Sequence, residues 1–268
     1  MIRPMLSIGA LTPASVSPVI FRSLSGKSHF RQAQNYVKNQ DIDISGVSAV
    51  KCLGFETSRI RQGNSMKKKK GKWDTLDGVL NEVWTMLKRG VTHFNDPFHW
   101  PVLGTTGKGG CSLRTVILRQ FILPERILVC HTDARATKAD EICKMNKVSW
   151  LFYHPKKKVQ LRISGPATLH TDDLFADEQW AGTKLTSRLN YCATDPPGTP
   201  VDRPSSGLPD FLLNTIPTLL ESEKGRKNFM AIACRIESID WLILSVLGNR
   251  RARFDWDENG LRDAWLIP

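Results

Sequence analysis

Between residues 100 and 169 the chain passes through five β-patterned segments joined by turns and one short helix, and this succession most constrains the fold. The segments are 100–106, 111–121, 126–132, 148–154 and 157–169, with Gly107-Lys108-Gly109-Gly110 as the turn between the first two and Gly165 as a bulge or bend in the last. Two more follow at 229–244, bent near Glu237, and at 250–256, after a helical segment at 172–189 and the rigid loop Asp195-Pro196-Pro197-Gly198-Thr199-Pro200. Ahead of them Leu76, Val79, Leu80, Val83, Trp84 and Leu87 recur at helical spacing; Asp74 is the expected cap and Gly90 the expected end. Six or seven strands with few helices between them predict a mainly β chain, an antiparallel barrel with helices at its ends. No G-x-G-x-x-G follows a strand and no G-x-x-x-x-G-K-[ST] occurs, so neither dinucleotide nor P-loop folds are indicated.

The formal charge of +12 suggests nucleic acid until it is located. Residues 1–72 hold 13 of the 38 Lys/Arg but 3 of the 26 Asp/Glu, so the rest of the chain is nearly neutral. Nucleic-acid binding by that part loses its support, and the run Lys67-Lys68-Lys69-Lys70 reads as a solvated tail. The basic segment 1–72 is expected to be a disordered extension; a transit segment or a start at Met66 are the other readings. Residues 73–268 are expected to form the folded domain. Six cysteines without a C-x-x-C pair point to reduced thiols and a cytoplasmic setting rather than a disulfide framework or zinc site. No stretch is apolar enough for a membrane span. His93 and His99 read as ordinary loop histidines.

Chemistry concentrates between Arg114 and Gly165. Arg114 and Arg119 stand at either end of an apolar strand and could clamp opposite ends of a ligand, or be surface arginines of an edge strand. Thr132, Thr137 and Lys138 surround a helix start, where backbone amides and a lysine suit a phosphate. Gln160 follows Lys156-Lys157-Lys158 and shares a strand face with Arg162. A flavin mononucleotide needs such cations for its phosphate, with apolar walls and strand backbone for its ring.

In order along the chain stand Arg114-Thr115-Val116-Ile117-Leu118-Arg119, then His131-Thr132-Asp133 with Lys138 after it, then Gln160-Leu161-Arg162-Ile163-Ser164-Gly165, then Arg251-Ala252-Arg253-Phe254. This order resembles the pyridoxamine 5′-phosphate oxidase-related FMN-binding split-barrel family, from about Trp73 to Pro268. The resemblance implies a split β-barrel and FMN held by 114–119, His131, Thr132, Thr137 and Lys138. Thr137 stands where the oxidases usually carry an arginine. Gln160 corresponds to a glutamine that reaches FMN across a homodimer interface, and Trp241 and Arg253 to flavin-contacting positions. Ser187 matches a serine of the oxidases' substrate site, but Gln179 and Thr183 replace its tyrosine and arginine. Arg251, near the family's Arg-x-His, is the other substrate candidate. Neutral glutamine and threonine cannot neutralise a substrate phosphate, so pyridoxal-phosphate formation is not expected. The expected activity is hydride or two-electron exchange between FMN and a small or planar substrate, without a nucleophile or essential base. A flavin carrier or sensor without turnover is the alternative, and a haem or deazaflavin could occupy the same cleft.

Overall fold

The computed structural model describes residues 71–268; the expectations for the extension before them lie outside the described residues. Helix α1 spans Leu76–Thr92, with Val79, Val83, Met86 and Leu87 buried on one face. Its cap is Thr75, whose hydroxyl accepts from Gly78 N at 3.1 Å, and not Asp74, whose carboxylate accepts from Gly71 N at 2.6 Å. Both residue types cap helices, and the chain turns inward one residue later than expected. Gly90 packs on the 3₁₀ turn Pro97–His99 so closely that a Cβ there would lie 2.7 Å from the Phe98 carbonyl oxygen.

Ten strands follow: β1 (Val102–Gly107), β2 (Gly110–Thr115), β3 (Gln120–Ile122), β4 (Ile127–Asp133), β5 (Lys147–His154), β6 (Val159–His170), β7 (Phe229–Arg235), β8 (Ser238–Ile243), β9 (Arg250–Asp257) and β10 (Gly260–Leu266). All ladders are antiparallel. Helix α2 (Thr137–Lys144) lies between β4 and β5. Helices α3 (Leu174–Ala181), α4 (Leu185–Arg188) and α5 (Leu219–Glu223) lie between β6 and β7.

The fold is mainly antiparallel β with flanking helices, as expected, with more strands than the seven at most that the pattern suggested. The run 111–121 divides into β2 and β3 around Val116–Arg119, 229–244 divides into β7 and β8, and β10 is additional. Strand β6 is the pivot. Along one edge it pairs with β5; along the other, Val159–Ser164 pairs with β8 and Ala167–His170 with β7. Gly165 sits where the partner changes, and a Cβ there would fall 1.8 Å from the Arg235 carbonyl oxygen. The expected irregularity is thus a close backbone crossing that only glycine admits. The sheet remains open between β2 and β3. Covalent chain bridges that gap, with Val116 N donating to Pro101 O, Leu118 N to His99 O and Arg119 N to Val129 O.

Inside, Trp150, Phe152, Trp241 and Phe254 are almost wholly buried and α1 closes one side of this core. A second cluster of Val129, Trp180, Tyr191, Phe229 and Ala231 fastens α3 and the turn after α4 onto β4 and β7. That attachment places the α3–α4 turn beside Val116–Arg119. Among the described residues no helix is long and apolar enough to cross a membrane, and no cluster of His, Cys, Asp and Glu is arranged to hold a metal.

Candidate functional site

The crossing from β2 to β3 opens two clefts that share Ile117, Arg119 and His131. The smaller, about 310 Å³, is lined by Arg114, Thr115, Val116, Thr132, Asp133 and Lys138, and by Asn190, Tyr191 and Pro197 from the segment after α4. The larger, about 610 Å³, extends over Leu118, Gln120 and Phe94 to Gln179, Thr183 and Ser187 on the α3–α4 turn.

Cations dominate the smaller cleft. Lys138, in the first turn of α2, donates to Thr132 Oγ1 at 2.9 Å and has no carboxylate partner among the described residues. Burial, then the nearby Arg114, pushes its ammonium below the ordinary lysine range. Arg119 has no ion-pair partner among the described residues either, and its Nε is buried without an acceptor. Arg114 Nη1 donates to the Thr105 hydroxyl and its Nη2 to Glu141 Oε2 at 3.2 Å. Asp133 is spoken for by Arg135, whose Nε and Nη2 donate to its carboxylate at 3.0 and 2.8 Å. With Glu141 set against one cation and Asp133 against Arg135, about two positive charges are left facing the cleft, the complement of a phosphomonoester.

His131, on β4, joins the two clefts. Gln179 Nε2 donates to Gln120 Oε1 at 2.7 Å, leaving Gln179 Oε1 to accept from His131 Nε2 at 3.1 Å. The imidazole proton therefore sits on Nε2, and Nδ1 is a buried acceptor without a donor. Burial, with Arg119 adding to it against the Gln179 hydrogen bond, pushes this histidine down to about 4. Since the unfolded chain takes up the proton at an ordinary histidine value, its contribution is complete above about pH 6.5 and is lost as pH falls towards about 4. The loss is of order 3 kcal/mol. Urea midpoints measured from pH 7 to pH 4 are expected to fall less for His131→Gln than for the wild type; parallel falls would contradict this assignment.

Of the residues expected at the site, Arg114, Thr115, Val116, Thr132 and Lys138 line the smaller cleft, Leu118 and Ser187 the larger, and Ile117, Arg119 and His131 both. Thr137 opens α2 but lines neither. Gln160, Arg251, Arg253 and Trp241 lie elsewhere in this chain. Gln160 alternates on β6 with buried Val159 and Leu161, and Arg251 and Arg253 alternate on β9 with buried Ala252 and Phe254. All three stand on the outward face of that sheet. Arg251 and Arg162 both hold Asp240, each at 2.6 Å; burial opposes its charge, but these two hydrogen bonds keep its carboxyl below the ordinary range. Trp241 is fully buried, tilted against Trp73 and edge-on to Trp265.

Three residues escaped the sequence reading. His99 is no free loop histidine: it is buried, donates from Nδ1 to Gly90 O at 2.7 Å and lines the larger cleft. Gln120 supplies the far end of the Gln179–His131 chain. Glu141 lies three residues beyond Lys138, a spacing that places both on one helix face and was the available signal.

Residues 81–171 match the family model described as pyridoxamine 5′-phosphate oxidase, FMN-binding domain. Among solved structures, a pyridoxamine 5′-phosphate oxidase-related, FMN binding protein from Nostoc punctiforme is 20% identical, with a TM-score of 0.54 over 70% of this chain and 96% of that one. PhzG from Burkholderia lata, crystallised with tetrahydrophenazine-1-carboxylic acid, is 18% identical, with a TM-score of 0.55 over 71% of this chain and 91% of that one. A search of curated proteins finds no match. By the sequence of residues 81–171 and by a fold shared over some 70% of its length, the chain resembles the pyridoxamine 5′-phosphate oxidase-related FMN-binding proteins.

Proposed function

We propose that this protein binds FMN across the two clefts and exchanges a hydride or two electrons with a small or planar substrate lying in the larger one. The observation that carries the reading is the cleft lined by Arg114, Arg119 and Lys138, with about two positive charges in excess. Buried Arg119 Nε and His131 Nδ1, a donor and an acceptor without partners, add unmet polar capacity where the clefts join. Residues fit the group: Lys138, Thr132 and Arg114 would hold the phosphate, and Val116–Arg119 with His131 the remainder. When bound, FMN supplies the redox chemistry. The chain's own part is to bind, to orient, and to place Arg119 near any negative charge that develops.

Gln179 and Thr183 bear on the substrate. Thr183 Oγ1 donates to Gln179 O at 2.7 Å and Gln179 is committed to Gln120 and His131, so neither presents a charge to a phosphate. The same commitment supports the second reading, a flavin carrier or sensor that performs no turnover. Anaerobic addition of NADH or NADPH to the FMN-loaded protein separates the two: bleaching followed by reoxidation with a substrate supports the oxidoreductase. A flavin that stays oxidised with every donor tried supports the carrier.

A homodimer belongs to this proposal. Gln160, Arg251 and Arg253 share the outward face with Leu151 and Tyr153, and Leu113 borders the same surface with about 70% of its area exposed. A second copy covering that face would bury these apolar groups and bring Gln160 and Arg253 to the partner's cleft. Leu113→Arg is expected to weaken the dimer at least tenfold in sedimentation equilibrium; a wild-type protein that sediments as a monomer would contradict it.

A further inference from the structure

Glu141 poses a problem that the proposed function leaves open. A carboxylate beside an anion site opposes the anion, yet this one is built in. Its Oε2 accepts from Arg114 Nη2 at 3.2 Å and from Thr105 Oγ1 at 2.5 Å, and its Oε1 accepts from Ser112 Oγ at 3.1 Å. The Thr105 hydroxyl in turn receives Arg114 Nη1, so both terminal nitrogens of that guanidinium are held, one by Glu141 and one by a hydroxyl that Glu141 itself holds. Space has been left for the carboxylate as well. At Gly107, in the β1–β2 hairpin, a Cβ would lie 2.7 Å from Glu141 Oε1.

We propose that Glu141 is a positioning residue for the phosphate site: it fixes the guanidinium of Arg114 toward the cleft, and so sets the preference for a phosphorylated flavin over its unphosphorylated form. The inference rests on the FMN reading of the smaller cleft. Two facts favour positioning over a merely structural ion pair. Glu141 and Lys138 are one turn apart on α2, so the helix that delivers the lysine also locks the arginine, and the two cations are placed by one rigid element. Arg114 and Lys138 also repel each other across the cleft, and a carboxylate bound to one of them lets both stay charged and close before an anion arrives. The Thr105 hydroxyl, with Ser112 and Arg114 after it, keeps the carboxyl below the ordinary glutamate range, so it carries its charge at neutral pH.

The role is tested by titrating FMN and riboflavin, which lacks the phosphate, into the wild type, Glu141→Ala, Glu141→Gln, Arg114→Ala and the double variant Arg114→Ala/Glu141→Ala. Glu141→Ala is expected to weaken FMN about tenfold and riboflavin by less than about twofold. Glu141→Gln keeps an acceptor for Arg114 but not the negative charge, and is expected to recover part of the FMN affinity. In the Arg114→Ala background the Glu141→Ala change is expected to have no further effect. Equal losses for both flavins, unchanged FMN binding in Glu141→Ala, or additive effects in the double variant would each overturn the positioning role. A wild type that binds riboflavin as tightly as FMN would instead overturn the phosphate-site reading beneath it.

Discussion

Replacing Lys138 by alanine is expected to weaken FMN binding about 10- to 100-fold, the equivalent of one charge-assisted hydrogen bond to a phosphate. Riboflavin affinity is expected to change by less than about twofold, because the lysine meets the ligand only through the phosphate. Lys138 is held by a single neutral partner, Thr132, in a partly buried position that lowers its affinity for its own proton. A cation stored without a counter-charge contributes little to folding and regains its lost solvation when an anion enters. Lys138→Arg is expected to recover part of the loss, since it restores charge but not the reach of the ammonium. Fluorescence titrations with both flavins check the wild type and both variants. A Lys138→Ala protein that loses both flavins alike, with an unchanged unfolding midpoint, would remove the lysine from the phosphate.

Gly165→Ala is expected to cost the fold about 3 kcal/mol or more. At 1.8 Å from Arg235 O the added carbon meets backbone, not the end of a flexible side chain, and both strands on that side of β6 are anchored there. Glu237 N donates to Ser164 O at 2.9 Å immediately beside it, so neither chain can retreat without losing that bond. The urea midpoint should fall well below that of the wild type. An unchanged midpoint would mean that the backbone crossing at β6 has room for a Cβ.

That glycine marks how far sequence reaches. An irregularity at Gly165 was legible because glycine interrupts an apolar strand, but its cause was not, since Arg235 lies seventy residues further on. Strand β5 was legible throughout: Val148, Trp150 and Phe152 face in while Ser149, Leu151 and Tyr153 face out, a strict period of two. Strand β10 was not, because nearly every residue from Gly260 to Trp265 is exposed and no apolar alternation marks it. Arg114, Thr132 and Lys138 were each recognisable through the motif order, and tertiary structure brings β2, β4 and α2 together to make them one cleft. Glu141 and His99 were harder. Each is defined by a partner that local sequence cannot name, the hairpin hydroxyls in one case and the end of α1 in the other. The roles given to Gln160, Arg251 and Arg253 came from the resemblance alone, and their outward position in one chain makes the second copy a necessary part of the proposal.

Flavin binding itself is the central claim, and an absorbance spectrum of the purified protein, before and after addition of FMN and removal of the excess, tests it most directly. Retained flavin bands near ~375 and ~450 nm are expected, with a stoichiometry approaching one FMN per chain. Protein that stays colourless after saturating FMN, while folded by its unfolding transition, would contradict it and leave the cationic cleft to another phosphorylated ligand.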